Sequence, residues 1–248
     1  MAANVFAPPP RRPAARLGVA VVSELVELIV TGQIAEGQLL PPEGPLSEHF
    51  GVSRTIIRES VKRLEEKGLV VVAQGRGTQV ARSGSWNMLD PVVLSALIDN
   101  DESLGALDEL TVVRGTLEAA MAGAVAARRT AEELTRLEHA LQAMRDARHD
   151  SDSFRQADVA FHFTVMELSR NRLAENITKR LYRRALESSR YHGMGYAGAY
   201  VSTLDEHAVV VEAIARQDVG AAEHAMRAHI VDSWQRRRLG RPSDRSDT

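Results

Sequence analysis

A mainly α protein in two parts is predicted by three observations. Aromatics are only 4% of the 248 residues while the hydrophobic share is 44%, and alanine and leucine dominate, which favours helices over sheets. A short helix, a glycine turn, a basic helix and a hairpin follow one another between residues 46 and 81. From Trp86 almost to the end the apolar spacing is helical. A typical domain has roughly 100–150 residues, so a chain this long is expected to hold two.

The elements follow in order. Residues 1–15 are rich in Ala, Pro and Arg and read as a disordered arm. Leu17 to Thr31 carries Val22, Leu25, Val26, Ile29 and Val30 at helical spacing, with Gly32 as its cap. Gly37 and Pro41-Pro42 mark a loop, and Pro45 sits in the first turn of the next helix, where no hydrogen bond is lost. That helix ends in the turn Gly51-Val52. Ser53 is a good N-cap for the basic helix, since its hydroxyl accepts from a free amide. Ile57, Val61 and Leu64 are expected to face the core, and Arg54, Thr55, Arg58 and Lys62 other directions. Gly68 stops the helix. The runs Leu69–Ala73 and Thr78–Ala81 make a hairpin around Gln74-Gly75-Arg76-Gly77. The whole is a winged helix-turn-helix, spanning residues 16–82. Ser83-Gly84-Ser85 opens a linker over 83–90, an all-helical domain follows over 91–238, and 239–248 is a flexible tail. Its helices are expected at about 91–99, 105–128, 131–148, 152–169, 172–190, 203–217 and 219–237.

Composition excludes some classes. No cysteine is present, so disulfides and thiolate metal sites are ruled out. No uninterrupted apolar run approaches the roughly 18 residues of a membrane span, and Arg11-Arg12 is not followed by the apolar core of a signal peptide. A soluble intracellular protein is expected. The net charge of −2 is unevenly spread. Ten Lys/Arg against eight Asp/Glu leave residues 1–82 at +2, and 21 against 25 leave the remainder at −4. Nucleic-acid binding needs a local basic face rather than a basic protein.

The first domain offers that face. Arg54 and Arg58 lie one helical turn apart and can make bidentate contacts to guanine. Thr55 suits a phosphate or a thymine methyl, Lys62 a phosphate, and Arg76 at the wing tip the minor groove. An isolated basic helix is more often a solvated surface, but the glycine turn before it and the hairpin after it favour duplex DNA.

In the second domain Asp158 and His162 stand four apart and share a helix face. His207 and His229 lie farther on, each in an amphipathic helix. Nitrogen and oxygen donors without sulfur suit a divalent ion such as Zn, Ni or Mn. The spacing leaves the ordinary alternative open, since an Asp/His pair at i,i+4 is common helix chemistry. His49, His139, His149 and His224 read as solvent-facing, and His192 beside Tyr191 as a weak pocket candidate. By spacing alone, Arg114 reads as the surface partner of Glu118 at i+4.

Gly37…Leu40-Pro41, Leu46-Ser47, Gly51-Val52-Ser53-Arg54-Thr55, Arg58-Glu59, Leu64, Gly68-Leu69 and Gly75-x-Gly77 resemble the N-terminal domain of the GntR family of bacterial transcription regulators. The resemblance implies operator contacts from Arg54, Thr55, Arg58 and Gly75, with Ser53, Lys62, Gln74 and Arg76 completing the expected face. The family's usual Ser/Glu-Arg-Glu is replaced by Glu43-Gly44-Pro45, and Gly44 lacks the arginine that often touches DNA. Residues 91–237 resemble the FCD effector domain of the FadR subfamily, with Ser169-Arg170-Asn171 in its usual place. That resemblance implies an effector-binding bundle with Asp158, His162, His207 and His229 as metal ligands and Arg114 reaching the effector. Trp86-Asn87-Met88-Leu89-Asp90-Pro91 is similar to sugar-acid regulators of the subfamily. A homodimeric repressor follows as the expectation, released from double-stranded operator DNA by an aldonic acid such as galactonate or gluconate. Another small carboxylate (pyruvate, lactate, a fatty-acid derivative), a metal-dependent enzyme and a ligand-free architectural DNA binder are the alternatives.

Overall fold

The computed structural model of the chain describes residues 13–73, 75, 77–192 and 199–239. The expected arm and tail therefore lie mostly outside the described residues. Positions 13–15 already belong to the first helix and Leu239 to the last. The chain divides into two compact units between Asn100 and Asp101.

The N-terminal unit runs α1 (Pro13–Val30), α2 (Glu43–Phe50), α3 (Arg54–Glu66), β1 (Val70–Ala73), β2 (Gly77–Val80), a short 3-10 turn (Ser83–Ser85) and α4 (Pro91–Asn100). The apolar stripe of α1 buries Val22, Leu25, Val26 and Ile29 against Leu46 of α2, Ile57 and Leu64 of α3, and the hairpin residues Val70 and Val80. Each such side chain contributes about 1.5–3 kcal/mol on leaving water. Gly51, at φ 62, closes α2, and Ser53 then caps α3 by accepting from the Ile56 amide at 3.4 Å. β1 and β2 pair antiparallel with Val70 opposite Val80 and Ala73 opposite Gly77. The segment before α2 adds to the other edge of β2. Gly37 donates to the Val80 carbonyl at 2.9 Å and Leu40 to that of Thr78 at 2.8 Å.

Two expectations need correction here. Residues 83–90, read as a linker between domains, join β2 to α4 inside the N-terminal unit. Asn87 donates its amide to the Lys67 carbonyl, the Trp86 indole donates to the Ala81 carbonyl, and Lys67 pairs with Asp90 at 2.5 Å. Residues 91–100, assigned from sequence to the C-terminal bundle, form α4, which packs on α1 and buries Val93 and Ala96 in the N-terminal core. An apolar helix buries its face against the nearest unfilled core, and its spacing does not say which core that is.

The C-terminal unit contains α5 (Gly105–Arg128), α6 (Ala131–Asp146), α7 (Ser151–Leu168), α8 (Arg172–Glu187), α9 (Ser189–His192), α10 (Ala199–Ala215) and α11 (Val219–Leu239). The expected helix over 172–190 is broken at Ser188, whose backbone is extended. Thr130 and Glu133 form a capping box at the start of α6. Asp150 and Asn171 cap α7 and α8, accepting from the amides of Ser153 and Ala174. α5 packs along α11, and α11 along α10. By length and composition α5 could cross a membrane, but 61% of its most apolar window is buried inside the protein. It is a core helix. The core joins Val125 of α5, Leu137 of α6, Phe161 and Val165 of α7, Ile214 of α10 and Met226 of α11.

Candidate nucleic-acid interface and metal centre

On α3, burial falls on Ile57, Ser60 and Leu64, with Val61 half-buried. Ser53, Arg54, Thr55, Arg58 and Lys62 are all exposed on the remaining faces. The local sequence dictates this. Apolar residues spaced for α3's inner face leave the cations no other orientation. Gly75, at φ 76, lies at the wing tip, while Gln74 and Arg76 fall outside the described residues. Arg58 is engaged. Its Nε and Nη2 donate to the two carboxylate oxygens of Glu43 on α2, at 3.1 and 2.9 Å. The guanidinium holds the Glu43 carboxyl below its usual range. Arg54 lies beside Gly44, its Nη2 being 3.6 Å from where a Cβ on that glycine would stand. The sequence reading missed the Glu43 partnership, because the two residues are 15 apart on different helices.

In the C-terminal unit three helices deliver four donors to one point. Asp158 and His162 come from α7, His207 from α10 and His229 from α11, all buried, with their candidate ligand atoms within 4.8 Å of one another. His162 Nε2 is the hub, 3.2 Å from His229 Nε2 and 3.4 Å from His207 Nε2. Asp158 Oδ1 lies 3.6 Å from His207 Nε2 and 4.0 Å from His162 Nε2. Every imidazole is anchored from behind. Nδ1 of His162 faces Glu118 Oε2 at 2.7 Å, that of His229 faces Glu206 Oε2 at 2.8 Å, and that of His207 faces the Thr203 carbonyl at 2.8 Å. Burial lowers the pKa of His207 to about 4 and carries that of His229 well down, so both are neutral near pH 7.

This donor set fits a cation. His162 Nε2 stands 3.4 and 3.2 Å from the other two ring nitrogens, the separation of ligands sharing one ion, and Asp158 Oδ1 is buried with no hydrogen-bond partner among the described residues. A buried orphan acceptor is costly. A divalent ion would satisfy it and the nitrogen lone pairs together. Carboxylates or a carbonyl behind each ring are the supports that orient metal-binding histidines. The histidines read from sequence as solvent-facing, His49, His139, His149 and His224, are all exposed. The His192 side chain lies outside the described residues.

Arg114 stands beside the cluster. It is ion-paired with Glu118 at 2.7 Å, but with 4% and 1% exposure the pair is interior rather than the surface bridge that i,i+4 spacing suggests. Its guanidinium stacks 3.4 Å over the Tyr182 ring, and Nη1 donates to the Tyr191 hydroxyl at 2.8 Å. Arg237 of α11 donates to the same hydroxyl at 2.8 Å. These groups, with Asp158, His162, His229 and Ser233, line a cavity of about 10 Å³, the size of one water. Sequence reasoning missed Glu118, Glu206 and Arg237 as site components. The apolar residues flanking Glu118, namely Leu117, Ala119, Met121 and Ala122, were the available signal that it is buried.

Comparison with known proteins bears on both units. The family model described as "Bacterial regulatory proteins, gntR family" matches residues 17–80, and that of the FCD domain matches residues 109–232. The chain is 33% identical over 219 residues to the galactonate operon transcriptional repressor of Escherichia coli (strain K12), an alignment covering 87% of this chain and 94% of that one. It is 29% identical over 209 residues to the HTH-type transcriptional regulator LutR of Bacillus subtilis (strain 168), covering 83% and 94%. Among solved structures, one described as "Lar controls the expression of the Listeria monocytogenes agr system and mediates virulence" aligns with a TM-score of 0.56 at 17% identity, covering 90% of this chain and 97% of that one. That last likeness is one of fold.

Proposed function

This chain belongs to the GntR family of bacterial regulatory proteins, with an FCD domain behind its winged helix-turn-helix, and from that premise we propose that it represses a sugar-acid catabolic operon and leaves its operator when an aldonic acid such as galactonate or gluconate binds. Membership makes it a transcriptional regulator rather than an enzyme. The choice of effector draws on the galactonate repressor, whose similarity spans both units. The observation that carries the reading is the juxtaposition of a four-donor cluster with Arg114 in the C-terminal unit.

In this reading α3 enters the major groove. Arg54 and Arg58 meet base edges, Thr55, Ser53 and Lys62 meet the backbone, and the wing segment Gln74-Gly75-Arg76 follows the adjacent groove. Two copies in a homodimer read a pseudo-palindromic operator in the cytoplasm. Asp158, His162, His207 and His229 hold Zn, Ni or Mn, which when bound supplies a Lewis-acidic partner for an effector carboxylate and neighbouring hydroxyl. Arg114 supplies a guanidinium to the same ligand. The present cavity of about 10 Å³ holds no sugar acid, so the effector selects a more open state. That state need only differ from the operator-bound one in affinity for the effector to shift the population.

Gel shifts on promoter fragments, with and without candidate acids and divalent ions, test this. Arg58→Ala is expected to abolish specific operator binding while the protein stays folded. Unchanged operator affinity in that variant would sink the DNA-reading assignment. Failure of every sugar acid to release wild-type protein would sink the effector class alone.

A further inference from the structure

We propose that Glu118 is a positioning residue. One of its oxygens fixes the His162 tautomer so that the Nε2 lone pair faces the cluster, and the other holds Arg114. The inference rests on reading the cluster as a metal centre.

The geometry is specific. Glu118 Oε1 accepts from Arg114 Nε at 2.7 Å, and Oε2 lies 2.7 Å from His162 Nδ1, with all three side chains buried. The always-charged Arg114 guanidinium pairs directly with this carboxylate and keeps it ionised. An ionised carboxylate only accepts hydrogen bonds, so His162 Nδ1 carries the proton and Nε2 is bare. That bare nitrogen is the hub of the cluster, facing His207 Nε2 and His229 Nε2. The opposite tautomer would aim an N–H at the point where a cation must sit.

The other two rings are held differently. His207 leans on a backbone carbonyl. His229 leans on Glu206, a partly exposed carboxylate bound by both Arg236 Nη atoms at 2.7 and 2.8 Å. Glu118 is the anchor that also touches the candidate effector clamp. Arg114 and His162 are thereby one residue apart in a continuous hydrogen-bonded path.

Glutamine at this position separates the two duties. Its amide has one acceptor oxygen, and the always-charged Arg114 takes it. The amide NH₂ then faces His162 Nδ1, which must accept, and the ring proton moves to Nε2.

The test uses full-length, metal-free protein labelled with ¹⁵N-histidine at mildly alkaline pH, in long-range ¹H–¹⁵N correlation spectra. Wild-type His162 is expected as the Nδ1–H tautomer and E118Q as the Nε2–H tautomer. Zinc affinity, measured by competition with a chelating dye, is expected to fall about 10–100-fold in E118Q, with operator affinity of the metal-free protein unchanged. An Nε2–H His162 in the wild type overturns the proposal, and that spectrum decides even if E118Q does not fold. Unchanged zinc affinity in a folded E118Q also overturns it. A wild-type protein showing Nδ1–H but binding no zinc, nickel or manganese removes the metal reading and leaves the Glu118 assignment standing.

Discussion

Arg58 illustrates how far single residues were legible in the sequence. Its exposure on the outer face of α3 followed from the positions of Ile57 and Leu64. Its bidentate bond to Glu43 did not, because nothing in the chain order places the start of α2 against the middle of α3. Glu43 partly neutralises the cation that the proposed operator contact would use. Replacing it by glutamine is expected to tighten binding to any duplex and to steepen the salt dependence, since an uncompensated arginine releases more counterion from the phosphates. Fluorescence anisotropy over a salt series checks this, and a slope equal to that of the wild type would contradict it. In the other unit Asp158 and His162 were legible as a pair from their spacing. Their union with His207 and His229 needed the family resemblance, because helices far apart in sequence deliver them. Glu118 was recognised only as a neighbour of Arg114. The i,i+4 rule describes surface helices, whereas α5 is apolar on both flanks of that residue.

Among the elements, α3 was read from its Ser53 cap and its periodicity together, and the ranges of α5 and α7 followed from apolar spacing alone. The failures are physical. The apolar spacing of α4 does not say which core it fills, and α8 and α9 are separated by one extended residue, Ser188, that no strong breaker marks. The segment after β2 read as a linker, and in the structure Ser85 Oγ donates to the Gly68 carbonyl at 3.0 Å. Gly68 itself stands at φ 72, where an added Cβ would lie 2.2 Å from the Ser85 carbonyl oxygen. The three nearest atoms all belong to the Ser85–Trp86 backbone, so no flexible side chain can yield. Gly68→Ala is therefore expected to destabilise the N-terminal unit by at least about 1–3 kcal/mol, the usual cost of a non-glycine residue in strained backbone. Calorimetry should show its melting transition lowered and that of the C-terminal unit unmoved. An unshifted transition would show that the turn relaxes freely.

At the scale of the whole molecule, a DNA-reading head followed by an all-helical sensor was legible from composition, the hairpin and the resemblance together, and the family models cover both parts. The size of the cavity beside Arg114 was not, since volume depends on how side chains from five helices interlock. Saturating the proposed centre should stabilise only the unit that contains it. At a divalent ion concentration a hundredfold above Kd, about 2.7 kcal/mol of added stability is expected, which raises the melting point of a unit this size by roughly 5–10 °C. Differential scanning calorimetry with zinc, nickel and manganese checks it, and a shift in the N-terminal transition instead would place the ion elsewhere. On the proposed effector reading, the Tyr191 hydroxyl, held at once by Arg114 and Arg237, sets the terms of entry. The berth is already tenanted by a phenol, so admission is an exchange and not an addition. A neutral polyol brings these two guanidiniums nothing the tyrosine does not already give them. A carboxylate would bring a full negative charge, so the proposed site would screen for charge before length.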